Sequence, residues 1–183
     1  MPESEYLEQQ LISDCLQGNH IAQKRLYETY SGKMMAVCLR YCKDRETAKD
    51  LLHDGFLKVF THLDSFKGSG SFEGWIRRIM VNTALEFLRK QTDEGYHLDV
   101  EEAYSLSNDD IGIMERMQAD ELIRIIQRLP DTYRTTFNLF VVEGYSHREI
   151  AEAMNITESS SRVYLTRARQ LLQDMLAKVK RFE

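Results

Sequence analysis

Apolar residues in this chain recur three and four positions apart, a spacing that restricts most of its length to helices. Leu7, Leu11, Ile12, Cys15 and Leu16 show it, and so do Leu51, Leu52, Phe56, Val59 and Phe60. A longer run comprises Ile76, Ile79, Met80, Thr83, Ala84, Phe87 and Leu88. A side chain returns to the same helix face after three or four residues, so each run predicts a helix with one buried stripe. Alternating strand patterns are nearly absent, and the prolines are Pro2 and Pro130 alone. Proline is the strongest breaker of a helix interior, so long stretches are left free to be helical. The expected fold is all-α, with four or five helices packed as a bundle before Lys90.

Charge divides this helical chain into parts. Its 183 residues fit one ordinary domain or two small ones, and 43% hydrophobic against 29% charged residues describes a globular protein. The net charge of −5 argues at first against a nucleic-acid partner. Its distribution reverses that. Residues 1–92 carry 13 Lys and Arg against 12 acids, and residues 116–183 carry 11 against 9. Residues 93–115 carry 8 acids and no Lys or Arg, so this segment supplies the whole negative excess. Apolar periodicity also fades from Thr92 to Asp110. Two small helical domains, 1–92 and 113–183, are therefore expected on either side of an acidic linker at 93–112. In the second, Leu122, Ile125, Ile126 and Leu129 form a first apolar face that Pro130 should end. Ser65 to Ser71, rich in Gly and Ser, reads as a break within the first.

Several function classes drop out. Met1 to Glu8 is acidic and polar, unlike a signal peptide, and no apolar run approaches the roughly 18 residues of a membrane span. A cytoplasmic location without membrane insertion is expected. Cys15, Cys38 and Cys42 are odd in number and lack the spacing of a disulfide framework, which suits a reducing compartment. Cys38 and Cys42 lie one helical turn apart without a zinc-spaced third ligand, so buried thiols are expected and no metal or cofactor. The histidines (His20, His53, His62, His97, His147) are scattered. Phosphate loop, paired carboxylates and nucleophile motif are all missing, so neither catalytic residues nor a small-molecule substrate is expected; the chain does not read as an enzyme.

The segment from Ser146 to Glu158 carries the sharpest local signal. Ser146 and Glu149 have capping-box spacing, which satisfies orphan backbone donors at a helix start. Ile150 should point inward, and Ala151 is small where two helices cross. Asn155 falls where the turn needs a left-handed backbone, which Asn tolerates better than most residues. Thr157 can cap a second helix running through Arg169. That helix presents Ser159, Ser160, Arg162, Val163, Arg167 and Arg169, with Arg148 on the first. Arginines reach guanine edges or phosphates, and hydroxyls contact either. A helix-turn-helix bound to DNA is the expectation; a helical hairpin with a solvated basic face is the plainer alternative.

These residues resemble a known family. Leu129-Pro130-Asp131-Thr132-Tyr133-Arg134, Phe137, Leu139-Phe140, Glu143 to Ser146, Glu149-Ile150-Ala151 and Arg167-Ala168-Arg169 are similar to the fourth region of sigma-70-type factors. Leu26-Tyr27, Tyr30, Ala48 to Phe56, Phe72 to Ile79, Asn82, Ala84 and Arg89 resemble the second region. Two such regions joined by a short linker are similar to the extracytoplasmic-function (ECF) subgroup. The resemblance implies core RNA polymerase and promoter DNA as partners. Asp50, Leu51, His53, Asp54 and Leu57 would meet the clamp helices of the beta-prime subunit, although Leu51, Leu52 and Phe56 also have core spacing. Lys67, Phe72, Trp75, Arg77, Arg78, Asn82 and Arg89 would handle the −10 element: cations on phosphates, Asn82 on a base, and Phe72 and Trp75 either stacking on bases or packing in the core. The C-terminal helix-turn-helix would read the −35 element, with the beta flap as a further polymerase contact. Anti-sigma factors, common inhibitors in this subgroup, add a candidate partner.

The match has departures. Ser161 stands where family members usually carry Val, Tyr164 replaces an Arg, and His53 replaces a Gln. Gly55 follows, in a helix interior that glycine weakens by about 1 kcal/mol relative to Ala. Two further readings share many of these residues. A free-standing helix-turn-helix regulator would not need the Trp75 to Arg89 surface, and a decoy that only titrates an anti-sigma factor would not need the DNA-facing arginines.

Overall fold

The computed structural model describes residues 3–93 and 119–179. All regular structure among them is helical, and no helix is long and apolar enough to cross a membrane. The expected acidic linker, 93–112, lies almost entirely outside the described residues. The chain divides into two compact units, Met1–Cys38 with Arg45–Ala84, and Leu39–Asp44 with Leu85–Glu183.

Four helices build the N-terminal part: α1 (Glu3–Leu16), α2 (His20–Tyr41), α3 (Arg45–Thr61) and α4 (Phe72–Asp93). A single 3-10 turn, Leu63–Ser65, follows α3. Local chemistry marks the boundaries. Gly18 takes the left-handed φ of 77° after α1, and the Asn19 side chain accepts from the amides of Ile21 at 2.9 Å and Ala22 at 3.2 Å, capping α2. Ser71 does the same for α4 through the Gly74 amide, 3.1 Å away. Most of the periodic residues face inward, Ile12, Cys15, Leu52, Phe56, Val59, Ile76 and Met80 being buried, whereas Leu7 and Leu16 of the first run lie on the exposed side of α1. Tyr30 ties α1 to this core by donating its hydroxyl to Glu8 at 2.6 Å; burial, then that carboxylate, raises its pKa.

Gly55 has a role that helix propensity does not reveal. It is buried on α3, and a Cβ there would lie 2.9 Å from Met80 Cε and closer still to its Sδ. The space that a Cβ at Gly55 would need is filled by the Met80 side chain reaching from α4, so glycine here makes room for the methionine.

The C-terminal part comprises α5 (Ala119–Gln127), α6 (Asp131–Phe137), a π turn (Asn138–Val142), α7 (His147–Met154) and α8 (Glu158–Val179). Ile125, Ile126, Leu129, Tyr133 and Phe137 form its core with Leu165, Ala168, Leu172 and Leu176 of α8. α8 extends well past Arg169, because its apolar stripe continues to Leu176. Pro130 is the N-cap of α6, while α5 has already ended at Gln127; proline's fixed φ and missing donor suit a helix start. Arg134, buried within this unit, donates to the carbonyls of Leu129 at 3.0 Å and Gln127 at 3.2 Å and pairs with Asp131. It thereby satisfies carbonyls that the end of α5 leaves without helical partners.

Candidate nucleic-acid interface

The turn between α7 and α8 is built by three local devices. Ser146 caps α7: its Oγ accepts from the Glu149 amide at 3.3 Å, and its own amide donates to Glu149 Oε2 at 2.8 Å. The backbone donor, then the serine hydroxyl, holds the Glu149 carboxyl below the usual range. Asn155 ends α7 at φ 53°, ψ 49°, the left-handed conformation that turns the chain. Thr157 opens α8, its Oγ1 accepting from the Ser160 amide at 3.1 Å. With Ile150 and Ala151 buried at the crossing, these form a helix-turn-helix.

Along α8 the buried stripe is Ser161, Leu165, Ala168, Leu172 and Leu176. Ser159, Arg162 and Val163 are exposed and Ser160 is half-buried; Val163, at 46% exposure, is an apolar group turned to solvent. Arg162 pairs with Glu158 at 3.0 Å, and Arg148, exposed on α7, pairs with Glu152 at 3.3 Å. Exposed pairs of this kind are weak, so both guanidiniums can exchange partners at little expense. Arg167 and Arg169 are half-buried. Arg167 donates to the Tyr133 hydroxyl at 3.0 Å, and Arg169 stands 6.0 Å over the Phe140 ring. Both are partly committed to the domain itself.

A second surface lies on α4. Trp75 is half-buried, and Arg78, Asn82 and Arg89 are exposed. The three- and four-residue spacing of Trp75, Arg78 and Asn82 places them on one face. Lys67 is exposed in the loop before α4, and Arg77 is half-buried. Phe72 must be corrected. It is 1% exposed, covered by Trp75 stacked at 5.6 Å and by Phe66 at 5.0 Å, so it supports Trp75 from below and presents no face to a base.

On α3, Asp50, His53, Asp54 and Leu57 line one exposed stripe, Leu57 being 55% exposed. Leu51 is the second correction: at 3% exposure it belongs to the core, since its position in the helical repeat faces the bundle. His147 was not singled out as a site residue by sequence reasoning. It packs between α7, α8 and the π turn, bonded to Ser161 and stacked on Phe140; only the polar residue in the apolar stripe of α8 could have flagged it. All three cysteines are buried, and no group of His, Cys, Asp or Glu among the described residues could hold a metal.

Comparison with known proteins bears on what these surfaces serve. Residues 26–94 match the family described as sigma-70 region 2, and residues 119–172 match sigma-70 region 4. The chain is 30% identical over 181 residues to the ECF RNA polymerase sigma-E factor of Haemophilus influenzae, covering 92% of this chain and 95% of that protein. It is 27% identical to the ECF RNA polymerase sigma factor SigW of Bacillus subtilis, covering 90% and 94%. Among solved structures it is similar to the sigma factor RpoE of Bartonella quintana in complex with the anti-sigma factor NepR, at 21% identity, TM-score 0.49, and coverage of 85% and 96%. With both regions matched in order and a relative of this identity spanned almost end to end, the chain belongs to the sigma-70 family of RNA polymerase sigma factors, in its extracytoplasmic-function subgroup.

Proposed function

We propose how this sigma factor divides its work along the chain. Residues 1–92 bind core polymerase and open the −10 element, 93–112 connect, and 113–183 hold the −35 element. The exposed stripe of α3 docks on the polymerase clamp: Asp50 and Asp54 meet basic partners, His53 lies between them, and Leu57 fills an apolar pocket. The face of α4 takes the melted strand. Lys67, Arg77, Arg78 and Arg89 neutralise phosphates, Trp75 offers a stacking surface, and Asn82 pairs with the edge of an unstacked base. Arg148, Ser159, Ser160, Arg162 and Val163 face the upstream duplex, and Arg167 and Arg169 make backbone contacts at its edge.

The observation that carries this reading is the alignment of Trp75, Arg78 and Asn82 on one accessible face of α4. A regulator that bound only duplex DNA through α8 would have no use for it. An anti-sigma factor is a further proposed partner, and one that covered the α3 stripe would block docking. Transcription reconstituted with purified core polymerase tests the assignment. Promoter-specific start sites are expected. Tight duplex binding that needs no polymerase would favour a free-standing regulator, and polymerase binding without initiation would favour a decoy.

A further inference from the structure

Ser161 is the polar residue in the buried stripe of α8, and it lies at the end nearest the exposed residues Ser159, Arg162 and Val163. Its hydroxyl is 2.9 Å from Nδ1 of His147, the first residue of α7. The imidazole also stacks on the Phe140 ring of the π turn, with centroids 4.6 Å apart and planes at 26°. Arg169, two turns beyond Ser161 on α8, reaches over that same Phe140 ring. Three elements therefore meet at one imidazole. Burial of the ring, followed by the charge of Arg162, lowers its pKa; the neutral ring bonds Ser161 without bringing a positive charge beside Arg162.

Apolar packing is non-directional, whereas a hydrogen bond of this length tolerates a limited range of angles. Leu165 and Ala168 set how closely α8 approaches its neighbours. The buried stripe turns α8 toward the core, and the bond to His147 adds a directional tie at the end that carries Ser159, Arg162 and Val163. With side chains a helix has a radius of roughly 5 Å, so a rotation of about 20° moves a surface group by about 2 Å. That exceeds the spread of lengths over which a hydrogen bond survives. Folding alone does not demand the bond. A mid-helix serine can turn its hydroxyl onto the carbonyl four residues earlier, here that of Thr157, which already accepts from the Ser161 amide at 3.0 Å.

We propose that His147 is a positioning residue for promoter reading: through its hydrogen bond to Ser161 it refines the rotation that the buried stripe gives α8, and with it the sequence selectivity of upstream-element binding. The proposal rests on α8 being the helix that reads that element. The test uses the full chain assembled with core polymerase, and measures affinity for a promoter fragment selected by that holoenzyme and for the same fragment with its upstream element scrambled. His147→Phe keeps the ring and its stack on Phe140 but removes Nδ1. His147→Asn returns a polar atom near the Nδ1 position, and Ser161→Ala removes the hydroxyl without adding bulk. His147→Phe and Ser161→Ala should each lower the affinity ratio roughly tenfold, as loss of one base contact does, with affinity for the scrambled fragment unchanged. The double variant should fall no further, and His147→Asn should recover most of the ratio. Variants that keep the ratio, losses that add in the double variant, or an Asn variant that regains thermal stability without the ratio would each overturn the proposal. An unaltered protein with a ratio near one would overturn the upstream reading of α8 as well, and is recognised without any variant.

Discussion

Replacing Gly55 by alanine sets two helical effects against each other. Alanine favours a helix interior by about 1 kcal/mol over glycine, and on an exposed face Gly55→Ala would stabilise α3 by about that much. Gly55 is instead buried against α4, where the new methyl would meet Met80 Cε at 2.9 Å and Sδ closer still. Met80 is itself 0% exposed, so its side chain has no solvent to swing into. Overpacking of this kind costs about 1–3 kcal/mol, which leaves Gly55→Ala net destabilising by up to about 2 kcal/mol once propensity is subtracted. Met80→Ala, which opens a cavity, should lower stability by about 2–5 kcal/mol. In that background the obstacle is gone, and Gly55→Ala should stabilise by about 1 kcal/mol. The effect of one substitution thus changes sign, with a coupling of roughly 1–3 kcal/mol between the two positions. Trp75 is the single tryptophan and sits on α4, so its fluorescence during urea unfolding reports on the part of the chain concerned. Equal stabilisation by Gly55→Ala in both backgrounds would refute the steric argument.

Other expectations follow from the local devices. Ser146→Ala removes the cap of α7 and should lower the stability of the C-terminal unit by about 1 kcal/mol, seen as an earlier helix-unfolding midpoint. Asn155→Ala keeps the left-handed backbone but loses the short polar side chain that eases it, and should lower stability by up to about 1 kcal/mol; an unchanged midpoint would contradict the role given to that turn. The pKa of His147 is lowered from an ordinary 6.5, so as pH falls the unfolded chain takes up the proton first. Stability that is present above about pH 6.5 is then lost as pH falls through the lower folded value. His147→Phe should flatten this part of the profile, whereas a midpoint that rises on acidification would reverse the sign. Arg78→Ala and Asn82→Ala alter exposed groups and should shift stability by no more than about 0.5 kcal/mol, while reducing promoter opening measured by strand reactivity; normal opening in both would remove α4 from the −10 assignment.

Much of this architecture is legible in the sequence because its causes are local. Three- and four-residue spacing produces the helices, and the Ser146–Glu149 box, the left-handed Asn155 and the Thr157 cap depend on residues within one turn of each other. The order of the two regions is likewise a property of the linear chain. Burial is different, because it depends on which face of a helix finds a partner. Phe72 and Leu51 are suitable in type for contacts with DNA and polymerase, yet the bundle places them inside, leaving Trp75 and Leu57 partly or largely accessible beside them. Gly55 weakens a helix considered alone, and becomes the residue that makes room for the Met80 side chain only when that methionine arrives from 25 positions away. Ser161 is similar: as a departure from an apolar pattern it suggests a looser fit, whereas in three dimensions it faces the imidazole of His147. The sequence by itself determined that this chain is a two-region helical sigma factor with a helix-turn-helix. The tertiary structure decided which side chains on those helices are open to a partner and which hold the helices in register, because close packing and hydrogen-bond direction act between residues that the chain keeps far apart.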